Sequence, residues 1–118
     1  MHRNKFNAKK IKNAEGVFDS KKEYQRWKVL KDMENIGLIS DLRRQVTFPL
    51  LPKQILIEPR YKAGRMHKCE LPVSYKADFV YIENGKQVVE DAKGVYTETY
   101  ILKRKLMKFL HDIEIKEV

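Results

Sequence analysis

The sequence lacks the features that stabilise small secreted proteins or anchor proteins in membranes. Only one of its 118 residues is cysteine, Cys69, so neither an internal disulfide nor a site built on cysteine pairs is available. No apolar run approaches the ~20 residues that a membrane-spanning helix needs, and the N-terminus has no apolar signal stretch. We therefore expect a protein of a reducing cytoplasm that does not contact membranes.

Acidic residues are also in short supply relative to basic ones. Lysine and arginine total 25 against 16 aspartates and glutamates, which gives a net charge of +9. This balance is typical of nucleic-acid-binding domains, although many small basic proteins bind nothing specific. With 42% apolar and 35% charged residues, the composition predicts one globular domain with a modest core.

The N-terminal segment predicts an arm rather than part of the core. Residues 1–15 are basic and show neither helical nor strand periodicity, so we expect no regular structure there. Residues 16–118 are then a single domain, with an insertion at about 52–72. The arm contributes three candidate phosphate contacts, Lys9, Lys10 and Lys12, although an exposed basic tail is also a common neutral feature.

A helix is expected to begin near Ser20, because Ser20-Lys21-Lys22-Glu23 fits the capping-box pattern. Trp27 and Leu30 follow Glu23 at helical spacing, and Gly37 is placed to end the helix. A strand over 39–51 follows. After it come a possible short strand at 54–58 and an exposed basic loop at 59–65.

The next elements are a hairpin, a second helix and a last strand. Strand-like runs at 73–83 and 86–93 flank Asn84-Gly85, the strongest short hairpin signal. The second helix is expected at roughly 98–111, with an apolar stripe of Leu102, Leu106, Phe109 and Leu110. The final strand covers 113–118.

The hairpin has a consequence for charge, because a two-residue turn pairs residues whose numbers sum to 169. Asp78 then faces Asp91, and Lys76 faces Lys93, all on one face of the sheet. Two carboxylates directly opposite repel each other unless a cation lies between them. Mg²⁺ is commonly held by one or two carboxylates together with phosphate oxygens, so the pair predicts a metal site.

Two alternatives stay open at this point. An exposed hairpin face with scattered charge would pair Asp78 with Lys93 and Asp91 with Lys76 as ordinary surface ion pairs, which are worth little. Glu23 fits a capping role fully, and its spacing from Trp27 also allows its carboxylate to join the aspartates if Trp27 packs on the sheet.

Asp78 followed by Asp91-Ala92-Lys93 resembles the D…(D/E)-x-K motif of the PD-(D/E)XK nuclease superfamily. Phe18-Asp19-Ser20-Lys21-Lys22-Glu23 resembles the first helix of its small, phage-encoded members. The chain is also similar to the catalytic domain of the Tn7-type transposon endonuclease and to Holliday-junction resolvases. The resemblance implies an α/β fold with a restriction-endonuclease-like αβββαβ core, whose mixed central sheet is flanked by helices.

The resemblance also implies residue roles. Asp78, Asp91, the Ala92 carbonyl and Glu23 would bind Mg²⁺ or Mn²⁺, and Lys93 would be the catalytic lysine. Gln45 matches a glutamine that shapes the site in some members, although an exposed strand glutamine is the plain alternative, and Lys76 is a second site-shaping candidate.

The chain departs from the superfamily in two places. Tyr75-Lys76-Ala77-Asp78 lacks the proline of the name, and the motif carboxylate is Asp91 where glutamate is more frequent. Glu90 precedes Asp91, but strand alternation sends it to the opposite face, so Asp91 is the predicted ligand. His67, Cys69 and His111 are too scattered for a zinc site, and we interpret them as loop and surface residues.

The predicted function is metal-dependent hydrolysis of DNA by an endonuclease, with branched or junction DNA as the finer expectation. Its rivals are a DNA-binding module without cleavage and a structural phage component. A homodimer is a candidate because paired strand cuts call for two sites, and a phage-encoded protein would act in a bacterial cytoplasm. The remaining candidate nucleic-acid contacts are Arg60, Lys62, Arg65, Lys103 and Lys105.

Overall fold

The chain is a mixed α/β protein whose central sheet is mixed. The computed structural model describes residues 9–57, 67–92 and 95–118. Its elements are, in order, β1 (Ile11–Asn13), β2 (Gly16–Phe18), α1 (Lys21–Asn35), β3 (Ser40–Leu51), β4 (Gln54–Ile57), β5 (His67–Glu70), β6 (Val73–Glu83), β7 (Lys86–Asp91), α2 (Glu98–His111) and β8 (Lys116–Glu117). The central sheet has the strand order β3-β6-β7-β8, with β6 and β7 antiparallel and β7 and β8 parallel.

The described residues form two compact units. The first contains 9–46, 77–92, 95 and 115–118, and the second contains 47–57, 67–76 and 96–114. Each is described by itself below.

Helix α1 forms in the first unit for the reasons that the sequence suggests. The Ser20 hydroxyl accepts a hydrogen bond from the Glu23 amide at 3.1 Å, and Gly37 ends the turn after the helix at a φ of +83°. The helix packs on the sheet through Leu30 and through Trp27, whose ring stacks on Phe79 at 6.2 Å. The predicted face of α1 is therefore confirmed.

The β6–β7 hairpin has the predicted register. Glu83 pairs with Lys86 and Phe79 with Glu90, so the numbers of paired residues sum to 169. Asn84 and Gly85 both have positive φ, at +53° and +76°, as a type I′ turn requires. The turn thus fixes which residues share a face.

The first residues of the chain differ from the prediction. Strands β1 and β2 pair antiparallel, with Ile11 opposite Phe18 and Asn13 opposite Gly16. The expectation that the arm has no regular structure is therefore wrong for 11–13. Three residues are too few to show periodicity, and β1 pairs with β2, which in turn contacts α1 and Arg44 of β3.

The insertion at 52–72 contains the antiparallel pair β4 and β5 in the second unit. The short strand is confirmed at Gln54–Ile57. Cys69 is exposed, as expected of a surface residue, but it and His67 belong to strand β5 rather than to a loop. Arg60, Lys62 and Arg65 lie outside the described residues.

Helix α2 has the predicted bounds but buries different residues. Leu102, Phe109 and Leu110 are 59%, 83% and 44% exposed, whereas Tyr100 and Met107 are buried. The stripe was wrong because it followed only leucine and phenylalanine. Tyr100 and Met107, seven residues apart, define the buried face, and Tyr100 contacts the ring of Tyr75 at 6.4 Å.

The last strand is shorter than the sequence predicts. Asp112 follows α2 in the left-handed conformation, and β8 is confined to Lys116–Glu117 rather than to 113–118. None of the helices described in 9–57, 67–92 and 95–118 is long and apolar enough to cross a membrane.

Candidate metal site

Asp78 and Asp91 come together where β6 and β7 leave the hairpin ladder. The pairing of Phe79 with Glu90 places Asp78 opposite Asp91 one step further on, and the neighbouring Asp91 raises the pKa of Asp78. Oδ2 of Asp78 accepts a hydrogen bond from the backbone N–H of Ala92 at 2.8 Å. Two carboxyls thus converge at the predicted motif.

The surroundings of this pair exclude the alternative of an exposed, charged hairpin face. Asp91 is only 2% exposed, and Val80 and Val89 on the same strand face are buried as well. A buried carboxylate in solvent-excluded surroundings carries a large desolvation cost unless it is neutralised. The pair therefore cannot be explained as ordinary surface charge.

Burial and the neighbouring carboxyls change the pKa of Asp78. Burial, the charge of Asp91 and the charge of Glu23 together raise the pKa of Asp78 to about 7, against the opposing effect of the Ala92 N–H. Burial likewise raises the pKa of Glu23. The charges of neighbouring carboxyls that raise the pKa of Asp78 are ones that a divalent cation would neutralise.

Gln45 connects the third carboxyl to the pair. Its Nε2 donates to Glu23 Oε1 at 2.9 Å and lies 3.5 Å from Asp78 Oδ1. Gln45 has a φ of +54°, a left-handed conformation that a non-glycine residue adopts at a cost of order 1 kcal/mol. The alternative of an exposed strand glutamine is wrong, because this side chain bridges two acidic residues.

Each carboxylate oxygen of Glu23 has its own hydrogen-bond partner. Its Oε2 accepts a hydrogen bond from the Asp19 amide at 3.0 Å, which helps to cap α1. Its Oε1 receives the amide of Gln45 and lies 3.6 Å from a guanidinium nitrogen of Arg44. The buried Glu23 side chain thus joins the residue before the N-cap of α1 to Gln45 and Arg44 of β3.

Glu90 lies on the opposite face, as alternation predicts. It is completely buried and pairs with Arg26 of α1 through two bonds, at 2.8 Å and 2.7 Å. Tyr81 donates its hydroxyl to the same carboxylate, and burial together with this bond raises the pKa of Tyr81. Sequence reasoning missed Arg26, because its partner Glu90 is 64 residues away in the chain.

The remaining candidates are lysines, and each that the structure describes is placed by its own element. Lys93, the predicted catalytic lysine, lies outside the described residues. Lys76 is an exposed residue in the second unit's part of β6, and α2 carries Lys103, half-buried, and Lys105, exposed. Lys9, Lys10 and Lys12 are exposed near the N-terminal strands.

The donor set suits a hard cation, although the geometry is not that of a closed site. Glu23, Asp78 and Asp91 offer carboxylate oxygens, the ligands that Mg²⁺ and Mn²⁺ prefer. Within 9–57, 67–92 and 95–118, no group of three or more histidine, cysteine, aspartate or glutamate side chains is arranged to hold a metal. The Gln45 amide lies between Glu23 and Asp78.

Comparison with known families covers almost the whole chain. Residues 3–117 match the family described as "Protein of unknown function (DUF1064)". The chain belongs to this family. No curated protein and no solved structure matches this DUF1064 chain. Its chemistry must therefore be argued from its own residues.

Proposed function

We propose that this DUF1064 protein is a metal-dependent endonuclease that hydrolyses phosphodiester bonds in DNA. The observation that carries the proposal is the pairing of the half-buried Asp78 with the buried Asp91, which Ala92-Lys93 follows directly in the sequence. The resemblance to PD-(D/E)XK nucleases, the restriction-endonuclease-like version of this α/β fold and a preference for branched DNA are parts of the same proposal.

Glu23, Asp78 and Asp91, with the Ala92 carbonyl, are the groups that would hold Mg²⁺ or Mn²⁺. A bound ion would neutralise phosphate charge and lower the pKa of a water molecule. Because the pKa of Asp78 is raised to about 7 when no ion is bound, this carboxyl would release a proton as it binds the ion. This predicts stronger metal binding above pH 7 than below it.

The chain's other residues act on orientation and charge. Gln45 holds Glu23 and approaches Asp78, so its amide keeps the carboxylates in place. Lys93 would stabilise charge on the reacting phosphate, a role that suits a lysine two residues after a metal-binding aspartate. The net charge of +9 would attract the DNA backbone.

The test is an incubation of purified protein with supercoiled, linear and branched DNA in Mn²⁺, Mg²⁺ or EDTA. Asp91→Asn and Lys93→Ala should abolish Mn²⁺-dependent nicking, whereas Asp32→Asn, the same change at an exposed residue of α1, should leave it intact. Equal nicking by all the variants would refute the site. Calorimetric titration with Mn²⁺ measures metal binding independently of DNA cleavage.

The absence of a closed metal-binding group in the described ranges favours one rival, a DNA-binding module without cleavage. That rival predicts DNA binding by the wild type, with no nicking in any metal and no Mn²⁺ heat signal. The same two measurements therefore separate the two functions.

A further inference from the structure

The N-terminal hairpin, defined as residues 9–18, is attached to α1 by hydrogen bonds to the carboxylate of Glu15. Glu15, in its turn, accepts hydrogen bonds from Trp27 Nε1 at 2.7 Å and from the Tyr24 hydroxyl at 3.4 Å. These bonds occupy both carboxylate oxygens of Glu15. The hairpin is thus tied to the helix that carries Glu23.

Arg44 of β3 ties down the second strand of the hairpin. Its Nη2 donates to the Val17 carbonyl at 2.7 Å, and its guanidinium lies 3.7 Å from the centre of the Phe18 ring. Phe18 itself is completely buried. Arg44 also lies 3.6 Å from Glu23, so one side chain contacts both the hairpin and the candidate metal site.

Gly16 shows how close this attachment is. It has a φ of +132°, and a Cβ atom there would lie 2.9 Å from Nη1 of Arg44. A larger residue would have to displace the guanidinium and strain the turn at the same time. The hairpin is therefore built to sit in one position.

The first strand of the hairpin presents lysines to solvent. Ile11 lies opposite the buried Phe18, and strand alternation directs its neighbours Lys10 and Lys12 away from that side. Both lysines are exposed, and Lys12 lies opposite the exposed Val17. A basic strand is thus fixed to the structure that positions Glu23.

We propose that the N-terminal hairpin is a rigid contact surface for the DNA backbone, which positions phosphates beside Glu23 and Asp78. The inference rests on the proposed function for its substrate. What it adds to that function is that a prefolded hairpin, rather than a flexible basic tail, contacts the DNA. A fixed surface orders no extra chain on binding, so its lysines contribute more of their charge interaction to affinity.

The first experiment compares two variants that each remove two positive charges. Lys10→Gln/Lys12→Gln changes the hairpin, and Lys53→Gln/Lys86→Gln changes exposed lysines elsewhere. Binding of a labelled DNA duplex is measured in EDTA, where no cleavage occurs, over a range of salt. The hairpin variant should bind ~10-fold more weakly and lower the slope of log K against log salt by about 2. An equal loss in both variants would overturn the inference, because net charge alone would then explain binding.

The second experiment separates rigidity from charge. Glu15→Ala raises the net charge by one, so charge attraction alone predicts tighter DNA binding. Loss of the hydrogen bonds from Trp27 and Tyr24 predicts weaker DNA binding, because the hairpin is no longer held in place. We expect a roughly threefold loss of affinity. Trp27 is the only tryptophan of the chain and bonds Glu15, so its fluorescence reports release of the hairpin. Fluorescence that changes while DNA binding tightens would refute the rigid surface.

The outcomes distinguish this inference from the proposed function. Nicking that depends on Asp91, together with equal binding by both lysine variants, would leave the nuclease intact and refute the hairpin surface. Hairpin-dependent binding without nicking in any metal would do the reverse. A wild-type protein that binds no DNA would refute both.

Discussion

At the scale of single residues, the raised pKa of Asp78 makes the stability of the metal-free protein depend on pH. Its pKa is about 7 in the folded protein, whereas an unfolded aspartate titrates near pH 4. Between these values the folded state holds the extra proton, so the stability of the metal-free protein falls as the pH rises through this window. This difference between the folded and unfolded pKa corresponds to a loss of at most about 4 kcal/mol in the free energy of unfolding.

We therefore predict that Asp78→Asn stabilises the metal-free protein at pH 8 while it removes activity. The asparagine keeps an oxygen for the Ala92 N–H and carries no charge to repel Asp91 and Glu23. The measurement is the melting temperature in EDTA from pH 5 to pH 8, where the wild type should fall and the variant should stay nearly level. Asp32→Asn is the control and should follow the wild type. A parallel decline in Asp78→Asn would contradict the role given to this carboxyl.

At the scale of elements, the Arg26–Glu90 pair joins α1 to β7. It lies on the opposite side of the strand from Asp91 but belongs to the two elements that carry Glu23 and Asp91. A buried ion pair adds little net stability, yet removal of one partner leaves the other charge buried alone. The pair is therefore better understood as fixing the position of the helix against the strand.

From this we predict that Arg26→Met lowers the free energy of unfolding by about 3 kcal/mol, since the buried Glu90 loses its two-bond partner and keeps Lys116, at 4.0 Å, as a cation nearby. The double variant Arg26→Met/Glu90→Met should lose less than the single one. Urea denaturation of the two variants and of Glu90→Met completes the cycle. If the double variant loses as much as both single ones together, the two side chains are not coupled.

The buried face of α2 gives a second test at this scale. Met107→Ala should cost about 2–5 kcal/mol, because it leaves a cavity at a completely buried site. Phe109→Ala, a larger truncation at a residue that is 83% exposed, should change stability by less than about 0.5 kcal/mol. Thermal or urea unfolding ranks the two, and the reverse order would contradict the observed face.

The elements also show what a sequence can and cannot predict. Asn84-Gly85 fixed the hairpin register, and Ser20 with Glu23 fixed the start of α1, because both signals act through neighbouring residues. The N-terminal hairpin, the contacts of Arg44 and the conformation of Gln45 depend on partners that are distant in the chain. The candidate carboxylates were therefore predictable, whereas the side chains that hold them were not.

At the scale of the whole molecule, a net charge of +9 on 118 residues repels itself. Salt screens exposed charges, with a Debye length of about 10 Å at 0.1 M. The melting temperature should therefore rise by a few degrees between low salt and about 0.15 M NaCl. Lys53→Gln/Lys86→Gln, with a lower net charge, should rise less, and a fall of the wild type over this range would contradict the expectation.

The left-handed backbone at Gln45 also bears on how this protein can change over generations. Asparagine and glycine accept such a conformation readily, but neither side chain reaches as far as glutamine. A saturation library at this position should therefore return folded asparagine and glycine clones that are inactive, and β-branched clones that are poorly expressed. Few substitutions should therefore be accepted at position 45, because the residue must adopt a left-handed backbone and also reach both Glu23 and Asp78.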